Sequence, residues 1–149
     1  MIFVDTNVIA RTFQKTSVHF RPAVDCIEHL RVSQRETLCI SPQVLVEFYA
    51  ISTRQRDGLA LQPEDAIRHI QILKQHYAFL PDHHAAFAQW EALISKYKPT
   101  NRRVFDVRHV ALMLCHKIPK ILTFNEADFQ QMTEIQAVNP FDVLKIPRV

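Results

Sequence analysis

Short apolar runs alternate with longer segments of helical periodicity along the chain, and this alternation most constrains the fold. The apolar runs lie at 2–4, 38–40, 77–80, 121–124 and 135–138. Runs that are apolar at every position are typical of strands buried on both faces, which occur in parallel sheets covered by helices. The sequence therefore predicts an α/β fold: a mainly parallel five-stranded sheet flanked by helices, with its ligand cleft at the carboxyl ends of the strands.

The segments between these runs carry helix start signals. Pro22, Pro42 and Pro63 fit the first turn of a helix, where a backbone N–H has no partner to lose, and Ser41 adds a capping hydroxyl. Helices are predicted at 21–32, 42–53, from 63 onwards, 85–97, 104–117 and 126–132. Because the 149 residues contain no repeat or low-complexity linker, we expect a single domain, 1–149.

Composition excludes several classes of protein. No apolar run reaches the roughly 20 residues of a membrane span, and no basic leader or cleavage site precedes the first run, so we expect a cytoplasmic protein without a membrane partner. Cys26, Cys39 and Cys115 are odd in number, far apart and each next to an apolar residue, which favours reduced core thiols over disulfides or a zinc site. The eight histidines form no zinc-ligand spacing.

The distribution of charge favours a polyanionic substrate. The net charge is only +3, but if four of the fifteen acidic residues gather in one cleft, eleven remain against eighteen Lys and Arg, and the rest of the surface carries +7. Basic side chains attract phosphates, while clustered carboxylates hold a cation. A basic surface around an acidic pocket is therefore suited to metal-assisted cleavage of a nucleic acid.

Acidic residues interrupt apolar segments at three places. Asp5 follows the first strand directly, beside the hydroxyl of Thr6, although an Asp there can equally be a helix cap. Glu47 lies within the apolar helical run 44–51, and Asp106 lies near the start of another apolar helix. A partly buried carboxylate needs an arginine, a proton or a metal ion to compensate it, whereas an exposed strip or a first-turn position explains each acid without function.

A fourth group of polar residues follows the fourth strand. Thr123, Asn125 and Asp128 lie in this strand-to-helix turn, where capping also explains Asn125. Parallel strands bring such positions to one edge, so we expect these oxygen donors to converge with the three acids. Oxygen ligands without His or Cys suit Mg²⁺ or Mn²⁺, which in phosphodiester hydrolysis activate a water and neutralise phosphate charge.

These segments together resemble a PIN-domain ribonuclease, and specifically a VapC-type toxin of a toxin–antitoxin system. The matching segments, in order over nearly the whole chain, are FVDTNV at 3–8, SPQVLVEF at 41–48, FDVR at 105–108, LTFN at 122–125 and DF at 128–129. The resemblance implies a single PIN-like nuclease domain whose substrate is RNA. It also implies a homodimer and an antitoxin protein that covers the acidic cleft.

The resemblance assigns roles to the acidic residues. It implies that Asp5, Glu47 and Asp106 are the main catalytic metal-binding acids, with the fourth position filled by Asn125 or Asp128. Thr6 and Thr123 would support the site. The chain departs from the family pattern in one turn, because His116 and Lys117 stand where many relatives have a glycine before the fourth strand. This departure affects a turn and leaves the chemistry unchanged.

Three arginines are candidates for RNA contact. Arg102, Arg103 and Arg108 surround Asp106 in sequence and could bind the RNA backbone, although a solvated charge cluster is the commoner explanation for such residues.

Alternatives to a nuclease remain at this point. The sequence DTNV at 5–8 nearly matches an aspartyl-phosphatase signature, but Asn7 stands where a second acid would protonate the leaving group. A receiver-type signalling domain would need paired acids after the first strand, where only Asp5 is charged. A protein with an inert site that acts only as a binding partner is the third alternative.

Overall fold

The five predicted strands form one parallel sheet in the computed structural model, which describes residues 1–148. The strands are β1 (Ile2–Val4), β2 (Leu38–Ile40), β3 (Ala78–Phe79), β4 (Lys120–Leu122) and β5 (Gln136–Val138), in the order β3-β2-β1-β4-β5 and all parallel. β2 and β3 lie on one side of β1, and the chain then crosses to the other side of β1, where it forms β4 and β5. Because the strand order reverses there, a crevice opens between the carboxyl ends of β1 and β4. The predicted fold class is confirmed.

Within residues 1–148, seven helices and a 3₁₀ turn cover the sheet. They are α1 (Thr6–Arg11), α2 (Phe20–Val32), α3 (Pro42–Thr53), α4 (Pro63–His76), α5 (Ala86–Tyr97), α6 (Arg103–Cys115), the 3₁₀ turn Glu126–Asp128 and α7 (Pro140–Leu144). The bounds of α3 are those predicted, and Ser41 caps it by accepting a hydrogen bond from the Val44 N–H at 3.3 Å. No helix within residues 1–148 is long and apolar enough to cross a membrane.

The helix predicted over 126–132 is wrong. The N–H groups of Asp128, Phe129 and Met132 each donate to the carbonyl three residues earlier, so the backbone is wound more tightly than an α-helix. Phe129 and Met132, which follow the 3₁₀ turn, are both buried. These two apolar residues are therefore buried without an α-helix over 126–132.

The core fixes the strands and helices that lead to the crevice. Every residue of β1 is buried, as predicted for a strand with apolar side chains on both faces. On α6, Val107, Val110 and Ala111 are fully buried, so that face of the helix packs inward. Burial also raises the pKa of the Cys26 and Cys39 thiols to about 12, which keeps both groups protonated and unreactive at neutral pH.

The turn that lacks the family's glycine holds a strained residue. The N–H of Ile118 donates to the Met113 carbonyl at 2.9 Å and that of Lys117 donates to Leu114 at 3.1 Å, which together form a Schellman motif at the end of α6. Lys117 therefore adopts a φ of 56°, in the left-handed region that disfavours side chains with a Cβ.

We expect Lys117→Gly to stabilise the protein by about 1 kcal/mol, because glycine adopts this conformation without the steric penalty. Urea denaturation should show a higher midpoint with an unchanged slope. Lys117→Ala, which removes the charge but keeps the Cβ, is the matched control. Equal stability of the two variants would show that φ at this position carries no strain.

Candidate active site

Asp5 lies in the crevice between β1 and β4. Its main-chain N–H continues the sheet by donating to the Leu122 carbonyl at 3.0 Å. Its Oδ2 accepts hydrogen bonds from the Thr123 hydroxyl and the Asn7 side-chain amide, both at 2.7 Å. Asp5 is also the N-cap of α1, accepting the Asn7 main-chain N–H at 3.5 Å. The capping role considered from sequence and the place in the crevice are therefore both present.

Asn7 joins the two strand ends and was missed as a site residue. Its amide donates to Asp5 and, at 2.9 Å, to the Thr123 hydroxyl, while its Oδ1 accepts the Phe124 N–H at 3.1 Å. From the sequence, Asn7 served only as evidence against a phosphatase. The usable signal was its position two residues after an Asp that ends a buried strand, where a side chain reaches back towards that Asp.

Glu47 projects from α3 into the same crevice. Its Oε2 accepts the Thr6 hydroxyl at 2.6 Å, its Oε1 accepts the Gln43 amide at 2.6 Å, and His109 Nε2 lies 3.3 Å from Oε2. Burial raises the pKa of Glu47, but the hydrogen bonds from these three residues and the charge of His109 outweigh burial and lower it to about 2. Because of this low pKa, Glu47 is ionised at neutral pH. Its side chain is 29% exposed and lines the cleft.

His109 is a buried partner of the acids that sequence reasoning missed. It is 1% exposed and packs on the Phe3 ring, with centroids 5.3 Å apart. Burial lowers its pKa, but hydrogen bonding and charge from Glu47, with the charges of Asp5 and Asp106, outweigh that effect and raise it. The histidines were considered only as zinc ligands. The missed signal was that His109 follows Asp106 by three residues on one helix, so both side chains share a face.

Asp106 lies where the negative charges of the site accumulate. Burial raises its pKa most, the charges of Asp5, Asp128 and Glu47 raise it further, and His109 offsets part of this, so the pKa reaches about 7. Within residues 1–148 its carboxyl group has no hydrogen-bond donor. The fold thus brings Asp5, Glu47 and Asp128 within electrostatic range of Asp106.

Asn125 and Asp128 are the two candidates for the fourth metal-binding position. The 3₁₀ turn carries Asp128, whose charge acts on Asp106. Asn125 is exposed, and its main-chain N–H donates to the Thr123 hydroxyl at 3.0 Å. The electrostatic contact is therefore made by Asp128, while the backbone of Asn125 helps to hold Thr123.

The three candidate arginines have different surroundings. Arg102 is exposed and lines a cleft shared with Glu47 and Asp106. Arg103 is partly buried and donates to the Asp128 carbonyl at 3.2 Å. Arg108 donates to the Gln43 side chain at 2.9 Å, and lies 3.7 Å from Asp82. Of the three, Arg102 borders the acidic cleft.

The chemistry of this donor set fits a hard cation. Among residues 1–148, no three His, Cys, Asp or Glu side chains form a ready-made metal-binding group. Mg²⁺ retains several waters and often binds proteins through one or two carboxylates, so it does not need a closed cage. Carboxylates whose mutual repulsion raises the Asp106 pKa are stabilised by a divalent cation, and their oxygen atoms suit Mg²⁺ or Mn²⁺.

Comparison with solved structures shows the same fold in toxin–antitoxin systems. VapBC-1 from nontypeable Haemophilus influenzae matches with a TM-score of 0.70 and 21% identity, over 94% of this chain and 98% of that one. A toxin–antitoxin complex from Klebsiella pneumoniae matches at 0.68 and 16%, over 94% and 98%. The sarcin–ricin-loop-cleaving toxin VapC20 from Mycobacterium tuberculosis matches at 0.66 and 18%, over 89% and 95%.

Comparison of the sequence with protein families gives one assignment. No curated protein matches the chain in sequence. The model of the PIN domain matches residues 2–135, which include β1, Glu47, α6 and the turn after β4. The chain belongs to the PIN-domain family.

Proposed function

We propose that this protein is a Mg²⁺- or Mn²⁺-dependent endoribonuclease that hydrolyses RNA phosphodiester bonds as the toxin of a toxin–antitoxin pair. The observation that carries the proposal is the gathering of acids at the carboxyl edge of the sheet: Glu47 and Asp106 line one cleft, and Thr6, the residue after Asp5, donates to Glu47 at 2.6 Å. PIN-domain nucleases generally use divalent metal ions, which agrees with this concentration of oxygen donors.

The acids in this proposal bind metal. Asp5, Glu47, Asp106 and Asp128 would hold the cation. When bound, the cation would activate a water for attack on phosphorus and neutralise the charge that develops on the phosphate oxygens. The four carboxylates themselves are not the general bases.

Neighbouring polar side chains orient the two best-held acids. Thr6 and Gln43 each donate to one oxygen of Glu47, which fixes the rotation of the carboxylate. Thr123 donates to Asp5 and Asn125 donates to Thr123, so the turn after β4 is aligned with the end of β1. Loss of such supporting hydrogen bonds typically lowers metal affinity or activity by about 10–100-fold.

Removal of divalent metal tests the proposed chemistry. We expect the purified protein to cleave RNA in Mg²⁺ or Mn²⁺, to lose this activity in excess EDTA, and to regain it when the metal is restored. Product lengths on a gel, followed over time, provide the measurement. Cleavage that continues unchanged in EDTA would exclude a metal-dependent mechanism and point to a contaminating or metal-free nuclease.

The proposed partners are an antitoxin protein and a second copy of this chain. Support comes from the similar structures, several of which are described as toxin–antitoxin or VapBC complexes. The antitoxin would cover the acidic cleft, so adding it to the cleavage assay should block RNA hydrolysis. We also propose that 1–149 acts as one domain in the cytoplasm, and contact between α7 and α2 supports including the last helix.

The alternative chemistries have weaker support. An aspartyl phosphatase needs an acid at the position of Asn7, whose amide instead joins Asp5 to Thr123. A receiver-type domain needs a second acid immediately after β1, and Thr6 and Asn7 occupy those positions. A binding protein with an inert site would have no need for the hydrogen bonds that hold Glu47 ionised.

A further inference from the structure

A cleft adjoins two of the acids, Glu47 and Asp106. Its volume is about 310 Å³, at the lower end of the roughly 300–1,000 Å³ of small-ligand pockets. Glu47 and Asp106 form one end, Arg54 and Arg102 supply positive charge, and Phe105 with apolar residues of α3 completes the lining. A molecule in this cleft would therefore touch the proposed metal site, two cations and an aromatic ring.

The sequence spacing on α3 and α6 builds this cleft. Ile51 follows Glu47 by four residues on the same face of α3, and Arg54 is the residue directly after the helix. Arg102 is the residue directly before α6, three and four positions ahead of Phe105 and Asp106. The end of α3 and the start of α6 thus each bring an arginine and a proposed metal-binding acid to the same cleft.

A hydrogen-bond bridge holds the two walls together. Gln43 Nε2 donates to Glu47 at 2.6 Å and to the main-chain carbonyl of Phe105 at 3.2 Å. The same glutamine accepts from Arg108, which holds Arg108 away from the cleft. The separation of α3 and α6, and therefore the width of the cleft, is fixed by side chains that also orient the acid.

The lining has the chemistry of a nucleotide site. Arg54 and Arg102 are both exposed, and neither forms a side-chain hydrogen bond or ion pair within residues 1–148, so their guanidinium groups are available to an anion. Phe105 is a large apolar residue that is 54% exposed beside a charged site. Proteins that bind single-stranded nucleic acid combine a positive groove with aromatic side chains on which bases stack.

We infer that this cleft binds the nucleotide next to the scissile phosphate of single-stranded RNA. Arg54 and Arg102 contact the phosphate on that side of the cut, and the base stacks on Phe105. The inference rests on the proposed nuclease function and adds the residues that position the RNA beside the acids. Stacking accepts any base, so the cleft positions RNA without selecting a sequence.

Binding of a defined RNA tests the cleft independently of cleavage. The probe is a fluorescein-labelled, unstructured RNA of eight mixed nucleotides, whose affinity is measured by anisotropy in EDTA across a salt series. Arg54→Gln and Arg102→Gln should each weaken binding about fivefold at about 0.1 M salt, and lower the slope of log affinity against log salt by about 0.7. Arg56→Gln, the same charge change on an exposed residue outside the cleft, is the matched control.

Substitutions of the aromatic ring separate stacking from apolar contact. Phe105→Leu should weaken binding about fivefold or more, while Phe105→Tyr should keep the affinity of the original protein. A duplex of the same length should bind less tightly than the single strand, since its bases are not free to stack. Circular dichroism of each variant checks that the fold is unchanged.

Several results would overturn the inference. The first is that the unaltered protein does not bind the RNA. The second is that Arg54→Gln and Arg102→Gln bind RNA as tightly as the control Arg56→Gln. The third is that Phe105→Leu changes the sedimentation of the protein in the absence of RNA. The last result would assign Phe105 to an interface between copies. If RNA is cleaved but these variants bind normally, the cleft assignment alone fails. If binding depends on them but no RNA is cleaved with any divalent metal, the nuclease proposal alone fails.

Discussion

Replacing Asp5 with Asn should lower metal-dependent RNA cleavage by about a thousandfold or more while the fold remains intact. The amide has nearly the same shape, and its oxygen can still accept a hydrogen bond from Thr123 or Asn7. It brings no negative charge, however, to a cation whose charge stabilisation is worth several kcal/mol in the transition state. Initial cleavage rates under saturating Mg²⁺, compared for the two proteins, provide the measurement.

The matched control for this substitution is Asp25→Asn. Asp25 is an exposed acid on α2, so its replacement makes the same chemical change outside the crevice. We expect Asp25→Asn to retain full activity and both variants to unfold at similar urea concentrations. Cleavage by Asp5→Asn at the rate of the unaltered protein would refute the assignment of Asp5 as a metal-binding acid.

Replacing Asp106 with Asn should inactivate the enzyme and, in metal-free solution, make it more stable. Burial and the neighbouring acids raise the pKa of Asp106 from an ordinary 3.8 to about 7. Between about pH 4 and pH 7 the folded protein therefore binds more protons than the unfolded chain, so its stability falls as pH rises through that window. Because Asn does not ionise, the variant avoids this loss, which is about 1–2 kcal/mol after allowance for solvent screening of a partly exposed group.

Urea denaturation in EDTA across this pH range measures the effect. The stability difference between Asp106→Asn and the unaltered protein should be small near pH 4, grow as the pH rises and level off above pH 7. Asp25→Asn should show no such trend. An Asp106→Asn variant that is less stable at pH 8 than the unaltered protein would mean that a donor or cation already compensates the Asp106 charge.

The sheet and the positions of the main candidate acids were predictable because each has a strong local signal. Strands such as β1 are apolar at every position, and the acids Glu47 and Asp106 interrupt apolar helices, where an ionised group is conspicuous. Parallel strands end at the same edge, so Asp5 and Thr123 could be placed together without knowledge of the tertiary structure.

Short elements and supporting residues were not predictable in the same way. α1 and α7 contain only six and five residues, too few to show helical periodicity, although Asn139 before Pro140 was a usable start signal for α7. The roles of Asn7 and His109 come from contacts across the crevice. His109 contacts Glu47, which lies 62 positions away in the sequence, so no local sequence pattern predicts this contact.

The topology of the sheet also determines when the crevice can exist. Asp5 is fixed by the hydroxyl of Thr123, which lies 118 positions further along the chain, because β4 inserts beside β1 only after β2 and β3 have been laid down. During translation, Asp5 can form its hydrogen bond with Thr123 only after most of the polypeptide has left the ribosome. The crevice is therefore completed late in synthesis, once β4 has emerged and paired with β1.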